Sequence, residues 1–490
     1  MMFTEVEYAF FLPVVLLFYW IGPRRTAWQN GVLLLASYVF YCTWDVRLLP
    51  LLLALTLVDF LVGLALGAPE GAVSEGRRQL ALGVSLVANL GALAWFKYVG
   101  FFAQSLNAVL ARTGLELPLP VLEIALPLGI SFYTLQKLGY IIDVYYGRQE
   151  PSRSLLDFAL FTAFFAQITA GPISRGRQLL PQLSNARQLR PEDLASGAAT
   201  FLLGFAMKAF VAEVIAQFVA NPVFNDPSRY SVAGHWAGLF GYAIQVFCDF
   251  AGYSLMAIGT ARLLGLELPE NFRLPYLSTS MLEFWRRWHI TLNTWLFDYI
   301  YTPLVTGGGY FRARFTLALL VVFLASGLWH GAALTFVVWG SWHGVGLMVN
   351  REWDEYYRRL CRRNRSWVAV RRTTLYALTA WLITQAFFLL SLILFRAPSL
   401  QAAGAYAIGL VRSTGGDLPP VVGFNPVFRV GCALLIFLAL HVPAFGAGQR
   451  LVTSFRAQPA PVRGIAYAVI IVFLSLFTPV GAGAFIYRQF

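Results

Sequence analysis

Charged residues are scarce in this chain: they make up 12% of its 490 residues, about half the ~25% of an ordinary soluble domain. A surface so poor in charge excludes a soluble globular enzyme. Cysteine is scarce too. Cys42, Cys248 and Cys432 lie in apolar runs, Cys361 lies in the basic stretch CRRNR, and no CxxC occurs. Neither a disulfide framework nor a zinc ribbon fits that pattern. No HExxH or comparable spacing links the histidines, so a metal site is not expected. A cleavable signal is also missing. The opening MMFTEVEYAFFLPVVLLFYW places Glu5 and Glu7 where a signal has basic residues, and it shows no small-residue cleavage site.

What the chain has is apolar length. Hydrophobic residues make up 58% of it, and a bilayer core ~30 Å thick needs roughly 20 apolar residues per helical crossing. The runs are continuous rather than alternating, which excludes a β-barrel and leaves helices. Twelve crossings are expected near 8–22, 30–44, 47–67, 79–96, 124–146, 197–220, 235–262, 314–330, 333–350, 374–395, 427–446 and 463–481. The fold class is therefore an all-α polytopic membrane protein, one integral-membrane domain over 1–490. Residues 157–172, short and flanked by basic residues, read as re-entrant or surface-lying. Residues 276–304 read as one amphipathic interfacial segment, with Leu282, Trp285, Trp288, Leu292, Trp295 and Tyr299 at helical spacing.

The net charge of +13 could point to nucleic acid, but its distribution does not. Basic residues gather at Arg24–Arg25, Arg77–Arg78, Arg175–Arg190, Arg312/Arg314 and in the loop Arg351–Arg372. This is the positive-inside pattern of a multi-pass protein. An even number of spans places nearly all these clusters on one side, with both termini outside.

Ionisable residues within a membrane are costly and mark functional pathways. His330, in SGLWHGAALTFVVWG, ends one apolar run and begins the next, between Gly327 and Gly331. The glycines permit a broken helix or close approach, and an imidazole suits a general base. The alternative is a structural histidine bonded to a neighbouring carbonyl. His289, in FWRRWHITLN, is either an interfacial histidine or a functional one. Arg286 and Arg287 beside it could attract the phosphates of a nucleotide-bearing donor or anchor the segment at lipid headgroups. His343 and His441 read as packed, hydrogen-bonded side chains, and His235 as interfacial.

Several stretches together resemble the membrane-bound O-acyltransferase superfamily, and within it the bacterial alginate O-acetyltransferase branch. They are FFLPVVLLFYW, PLGISFYTLQKLGYIIDVYYG at 127–147, FFAQITAGPISR at 164–175, QVFCDFAGYS at 245–254, NFRLPYLSTSMLEFWRRWHITLNTWLFDYIYTPL at 271–304 and SGLWHGA at 326–332. They cover almost the whole chain in order.

The resemblance implies a ring of spans around a thin central waist, with an inner donor cavity and an outer acceptor funnel. It makes His330 the essential histidine and His289 the second, cytoplasm-facing one. It implies acetyl-CoA as donor substrate with no resident cofactor, and a place in the bacterial inner membrane among its lipids. A periplasmic SGNH-like acetyltransferase partner would finish transfer to an extracytoplasmic polysaccharide such as alginate. In that branch the aromatic tail carries a proposed acyl acceptor, matched here by Tyr487 in GAGAFIYRQF, although Arg488 departs from the aromatic pattern. Within the same fold, peptidoglycan acetylation and D-alanyl transfer are alternatives. A polysaccharide exporter is the alternative of a different class, but no pair of related halves appears.

Overall fold

In a computed structural model, described for residues 1–68, 74–113, 126–413, 415–441, 454–455 and 457–478, the apolar runs are helices. Peptide groups in hydrocarbon must pair within their own segment, and a helix pairs them locally. Among the described residues no strand occurs, only an isolated bridge between Tyr230 and Asp417. Among the described residues six helices are long and apolar enough to cross a membrane: Thr26–Leu66, Glu75–Ala111, Pro191–Asn225, Val232–Leu263, Thr374–Arg396 and Phe424–His441. Val6–Ile21, Phe315–His330 and Ala460–Leu474 are apolar but shorter.

The chain packs as two units. The first comprises Met1–Phe201, Met256–Glu270 and Thr294–Pro303. Its helices are α1 (Val6–Ile21), α2 (Thr26–Asp45), α3 (Leu49–Leu66), α4 (Glu75–Arg112), α5 (Ile130–Tyr145), α6 (Leu155–Ala163) and α7 (Gly176–Leu183). A buried ionic cluster ties α3, α4 and α5 together. Asp59 accepts from Ser85 Oγ at 2.6 Å and Asn89 Nδ2 at 2.9 Å, and lies 3.3 Å from Lys137 Nζ. Arg187 likewise donates to the Tyr19 hydroxyl and to Asn30 Oδ1, each at 2.7 Å.

Three expectations are corrected in this unit. The helix expected at 79–96 continues to Arg112. Lys97, Gln104, Ser105 and Asn107 end the hydropathy run, but none is a helix breaker. The crossing expected at 124–146 begins only at Ile130. Gly129 before it has φ +70, and a side chain there would strike the Ile168 carbonyl oxygen. Of the two readings of 157–172, re-entrant or surface-lying, the second is corrected: the segment is buried. α6 has nine residues, ~14 Å of rise, and the irregular chain after it is largely buried. Side chains satisfy that backbone: Phe165 N–H donates to Ser37 Oγ, and Gln136 and Gln167 both donate to the Phe161 carbonyl. Irregular backbone is tolerated in this way when protein encloses it.

The second unit comprises Leu202–Leu255, Asn271–Asn293 and Leu304–Phe490. The dividing line cuts α8 (Pro191–Asn225), which carries π-helical stretches at Ala206–Ala212 and Ala216–Ala220, and α9 (Val232–Leu263). There follow α10 (Met281–Arg287), α11 (Ile290–Leu296), α12 (Phe315–His330), α13 (Leu334–Arg363), α14 (Ser366–Arg371), α15 (Thr374–Arg396), α16 (Leu400–Gly409), α17 (Phe424–His441) and α18 (Ala460–Phe477). α12 and α13 form a tight hairpin. A Cβ on Gly327 would collide with the Phe336 carbonyl oxygen, and one on Gly340 with that of Phe323, so small residues set the close approach.

Here too the chain departs from expectation. Residues 276–304 are not one amphipathic helix: α10 ends at Arg287 and α11 starts at Ile290. The basic loop 351–372 is largely helical, because α13 runs on to Arg363 and α14 follows. Arginine has high helix propensity, so charge ends the hydropathy run without ending the helix. α16, with ten residues, is too short for a crossing and was not expected. The end of the crossing expected at 427–446, the end of the one at 463–481, and Tyr487 lie outside the described residues.

Candidate active site

The break between α10 and α11 places His289. Its backbone has φ +44, a left-handed conformation uncommon outside glycine, though asparagine, aspartate and histidine take it more often than other residues. Two asparagines hold it there. Asn293 Nδ2 donates to the carbonyls of Trp285, Trp288 and His289 at 3.0, 2.6 and 3.2 Å, and its own N–H donates to the His289 carbonyl at 3.1 Å, so one residue bridges the break. On the other flank the Asn271 carbonyl accepts from Ile290 N–H at 2.9 Å, and its side-chain oxygen accepts from the Thr291 hydroxyl at 2.9 Å. Asn271 Nδ2 donates in turn to Ser254 Oγ at 3.0 Å. Strain maintained by such over-determination clusters at functional sites.

His330 is the last helical residue of α12, where Gly331 turns to extended backbone. The fold brings the two histidines together. His289 and His330 are both buried, with ring centroids 6.4 Å apart. Aromatic rings enclose them. Trp329 lies 5.0 Å from His330 and 5.8 Å from His289. Trp339 and Phe395 lie 5.1 and 5.3 Å from His330, and Phe250 lies 4.7 Å from His289. Burial pushes the His289 imidazole down to about 3, so it is neutral at physiological pH and can accept or donate one hydrogen bond.

The remaining candidates sort themselves. Arg287 is paired to Glu283 at 2.7 Å within α10, and Arg286 is exposed. His343 packs against Trp285 and Trp339, and its Nε2 meets Ser391 Oγ at 2.9 Å. His441 Nδ1 lies 2.9 Å from the Phe437 carbonyl. His235 is buried, its Nδ1 2.9 Å from the Ser231 carbonyl and its ring 5.1 Å from that of Tyr406.

Two features escaped the sequence reading. The indole N–H of Trp339 is buried beside His330 and has no hydrogen-bond partner, a state that costs ~1–3 kcal/mol unless something accepts it. In α8 and α9, Lys208 is buried in ion pairs with Asp249 and, at 3.2 Å, with Glu213. Lys208 and Glu213 stand within an apolar run, GFAMKAFVAEVIA, and intramembrane charge was the signal that could have found them.

Comparison with known proteins bears on this geometry. The model of the "MBOAT, membrane-bound O-acyltransferase family" matches residues 150–393, a span that contains both histidines. The probable alginate O-acetylase AlgI of Azotobacter vinelandii is 42% identical over 356 residues, 72% of this chain and 69% of that protein. The peptidoglycan O-acetyltransferase of Helicobacter pylori is 33% identical and covers 83% of this chain and 79% of its own. The teichoic acid D-alanyltransferase of Bacillus subtilis is 28% identical over 43% of this chain and 55% of its own.

Proposed function

This chain belongs to the membrane-bound O-acyltransferase family, and from that premise we propose that it takes acetyl from cytoplasmic acetyl-CoA and passes it across the bacterial inner membrane for O-acetylation of an extracytoplasmic polysaccharide, alginate or a polymer like it. It is a multi-pass membrane acyltransferase. The observation that carries the finer reading is the pairing of His289 and His330 at two chain breaks inside an aromatic enclosure.

In this reading twelve crossings surround a waist between an inner donor cavity and an outer funnel, and both termini are periplasmic. A charged donor cannot cross the bilayer, so only the acyl group passes. His330 takes the proton of an incoming hydroxyl as the oxygen attacks the thioester carbonyl. The tetrahedral intermediate then expels the thiolate, which recovers the proton from the imidazolium. His289 orients the donor, and the unpaired Trp339 N–H, beside His330, donates to the developing oxyanion. Transient acylation of a histidine is the alternative chemistry. Arg286, the exposed cation next to the break, attracts the donor's phosphates, and Tyr487 accepts acetyl for delivery to an SGNH-like periplasmic partner.

Peptidoglycan is the second reading, supported by the Helicobacter pylori relative that matches more of the chain. The test is acetyl transfer in proteoliposomes loaded with labelled acetyl-CoA on the cytoplasmic side, with alginate or peptidoglycan fragments and the periplasmic partner outside. His330→Ala should abolish transfer while His343→Gln retains it. Transfer by the alanine variant would refute the assignment. Replacing Tyr487 with Phe tests the relay separately.

A further inference from the structure

Away from the histidines, α13 and α15 diverge around a cavity of about 580 Å³, floored by residues 279–281. That size lies within the ~300–1,000 Å³ of ligand sites. Its walls are apolar: Val345, Val349, Ala377, Ala380, Ile383 and Phe387. Val345, Val349 and Ile383 are among the exposed hydrophobic residues, so the trough opens sideways.

The polar groups lining its depth are already engaged. Asn350 Oδ1 accepts from Leu282 N–H at 3.0 Å, the Thr279 hydroxyl donates to Glu283 at 3.1 Å, and the Thr384 hydroxyl donates to the Ala380 carbonyl at 2.7 Å. These groups bond within the protein, and the walls around them are apolar.

One end differs. Trp353 donates its indole N–H to the Tyr376 hydroxyl at 3.3 Å, and Arg371 meets Asp354 at 2.7 Å beneath the Tyr357 ring. Tryptophan, tyrosine and arginine in one ring mark the level of the headgroups. From Asp354 to Val345 is nine residues of α13, ~13 Å, close to the ~15 Å depth of one leaflet. The stretch 351–372 carries eight arginines against three carboxylates, an excess that draws anionic headgroups.

We propose that this trough is a binding site for an anionic phospholipid, with one acyl chain lying between α13 and α15 and the phosphate held at Arg371 and Tyr376. The site stands apart from acyl transfer and does not rest on the assignment of His330.

Native mass spectrometry of the purified full chain, delipidated in detergent, tests it. The probes are phosphatidylglycerol, phosphatidylcholine with the same chains, and glycerol 3-phosphate. Phosphatidylglycerol should be retained about five-fold more than phosphatidylcholine, the advantage one basic contact supplies, and glycerol 3-phosphate should neither bind nor compete. Arg371→Gln should erase the preference. Ala377→Phe, an exposed position whose filling leaves the helices in place, should reduce retention of both lipids. Arg365→Gln, in the same basic stretch but not lining the trough, should change neither. Equal retention of the two lipids, retention unaffected by Ala377→Phe, competition by glycerol phosphate, or an equal loss in Arg365→Gln would each overturn the proposal.

Discussion

Two buried polar centres in this molecule are built on opposite plans. The Asp59–Lys137 cluster lies within uninterrupted helices, and opposite charges neutralise each other there while Ser85 and Asn89 take up the carboxylate's remaining capacity. The His289–His330 centre lies where helices stop, among imidazole and indole rings, with Asn271 and Asn293 holding a left-handed backbone. A charge pair sealed inside helices ties them together. Buried rings gathered at helix breaks, with the Trp339 N–H unpaired among them, tie no helices together by charge. Burial is common to both centres; the difference lies in whether opposite charges or aromatic rings surround the polar groups.

The comparison can be broken in four ways. His330→Ala should lower acetyl transfer at least ~100-fold, the usual contribution of general acid–base catalysis, with unchanged yield and monodispersity. A variant that also fails to fold would make His330 a structural residue like Lys137. Lys137→Met alone should cost ~3–5 kcal/mol by leaving Asp59 unpaired, read as a lower melting temperature in detergent. The double variant Lys137→Met/Asp59→Leu should recover most of that loss, and activity per folded molecule should change little in either.

The strain at His289 gives the third test. His289→Ala should lose both activity and stability, whereas His289→Gly should lose activity but melt higher than the alanine variant, by ~1 kcal/mol, since glycine accepts positive φ. Equal melting of the two would mean the strain carries no energy. The smallest effect concerns pH. His289, held at about 3 by burial, has a folded pKa below its unfolded value of ~6.5. As pH falls the unfolded chain takes up the proton first. Stability is therefore full above about 6.5 and is lost progressively between there and about 3. His289→Asn should flatten that part of the stability profile, measured by thermal melts from pH 7.5 to 4.5.

Much of the architecture was legible as hydropathy. α1, α2, α3, α12 and α15 fall within a few residues of expectation because each is an apolar run bounded by charge, glycine or proline. The failures share one cause. A hydropathy run ends when polar residues begin, but a helix ends only when its backbone bonding ends. The extensions of α4 to Arg112 and α13 to Arg363 were therefore invisible. The break at Trp288–His289 was hidden for the converse reason: apolar spacing continues across it, and the chain turns because Asn271 and Asn293 satisfy the interrupted backbone. Both histidines were legible as candidates, one from its place between two apolar runs and one from the motif around it. The Trp339 N–H was not, because whether a donor is paired depends on what packs beside it.

By itself the sequence determined that this is a helical membrane protein, which apolar runs form helices, and which family its motifs resemble. These are properties of composition and of local order. Only the tertiary structure decided that His289 meets His330 across 41 residues of chain, that Arg287 is occupied by Glu283, and that α13 and α15 leave a trough between them. Those outcomes depend on packing, in which each side chain's partner is chosen by distance in space, and no local sum over the sequence contains that distance.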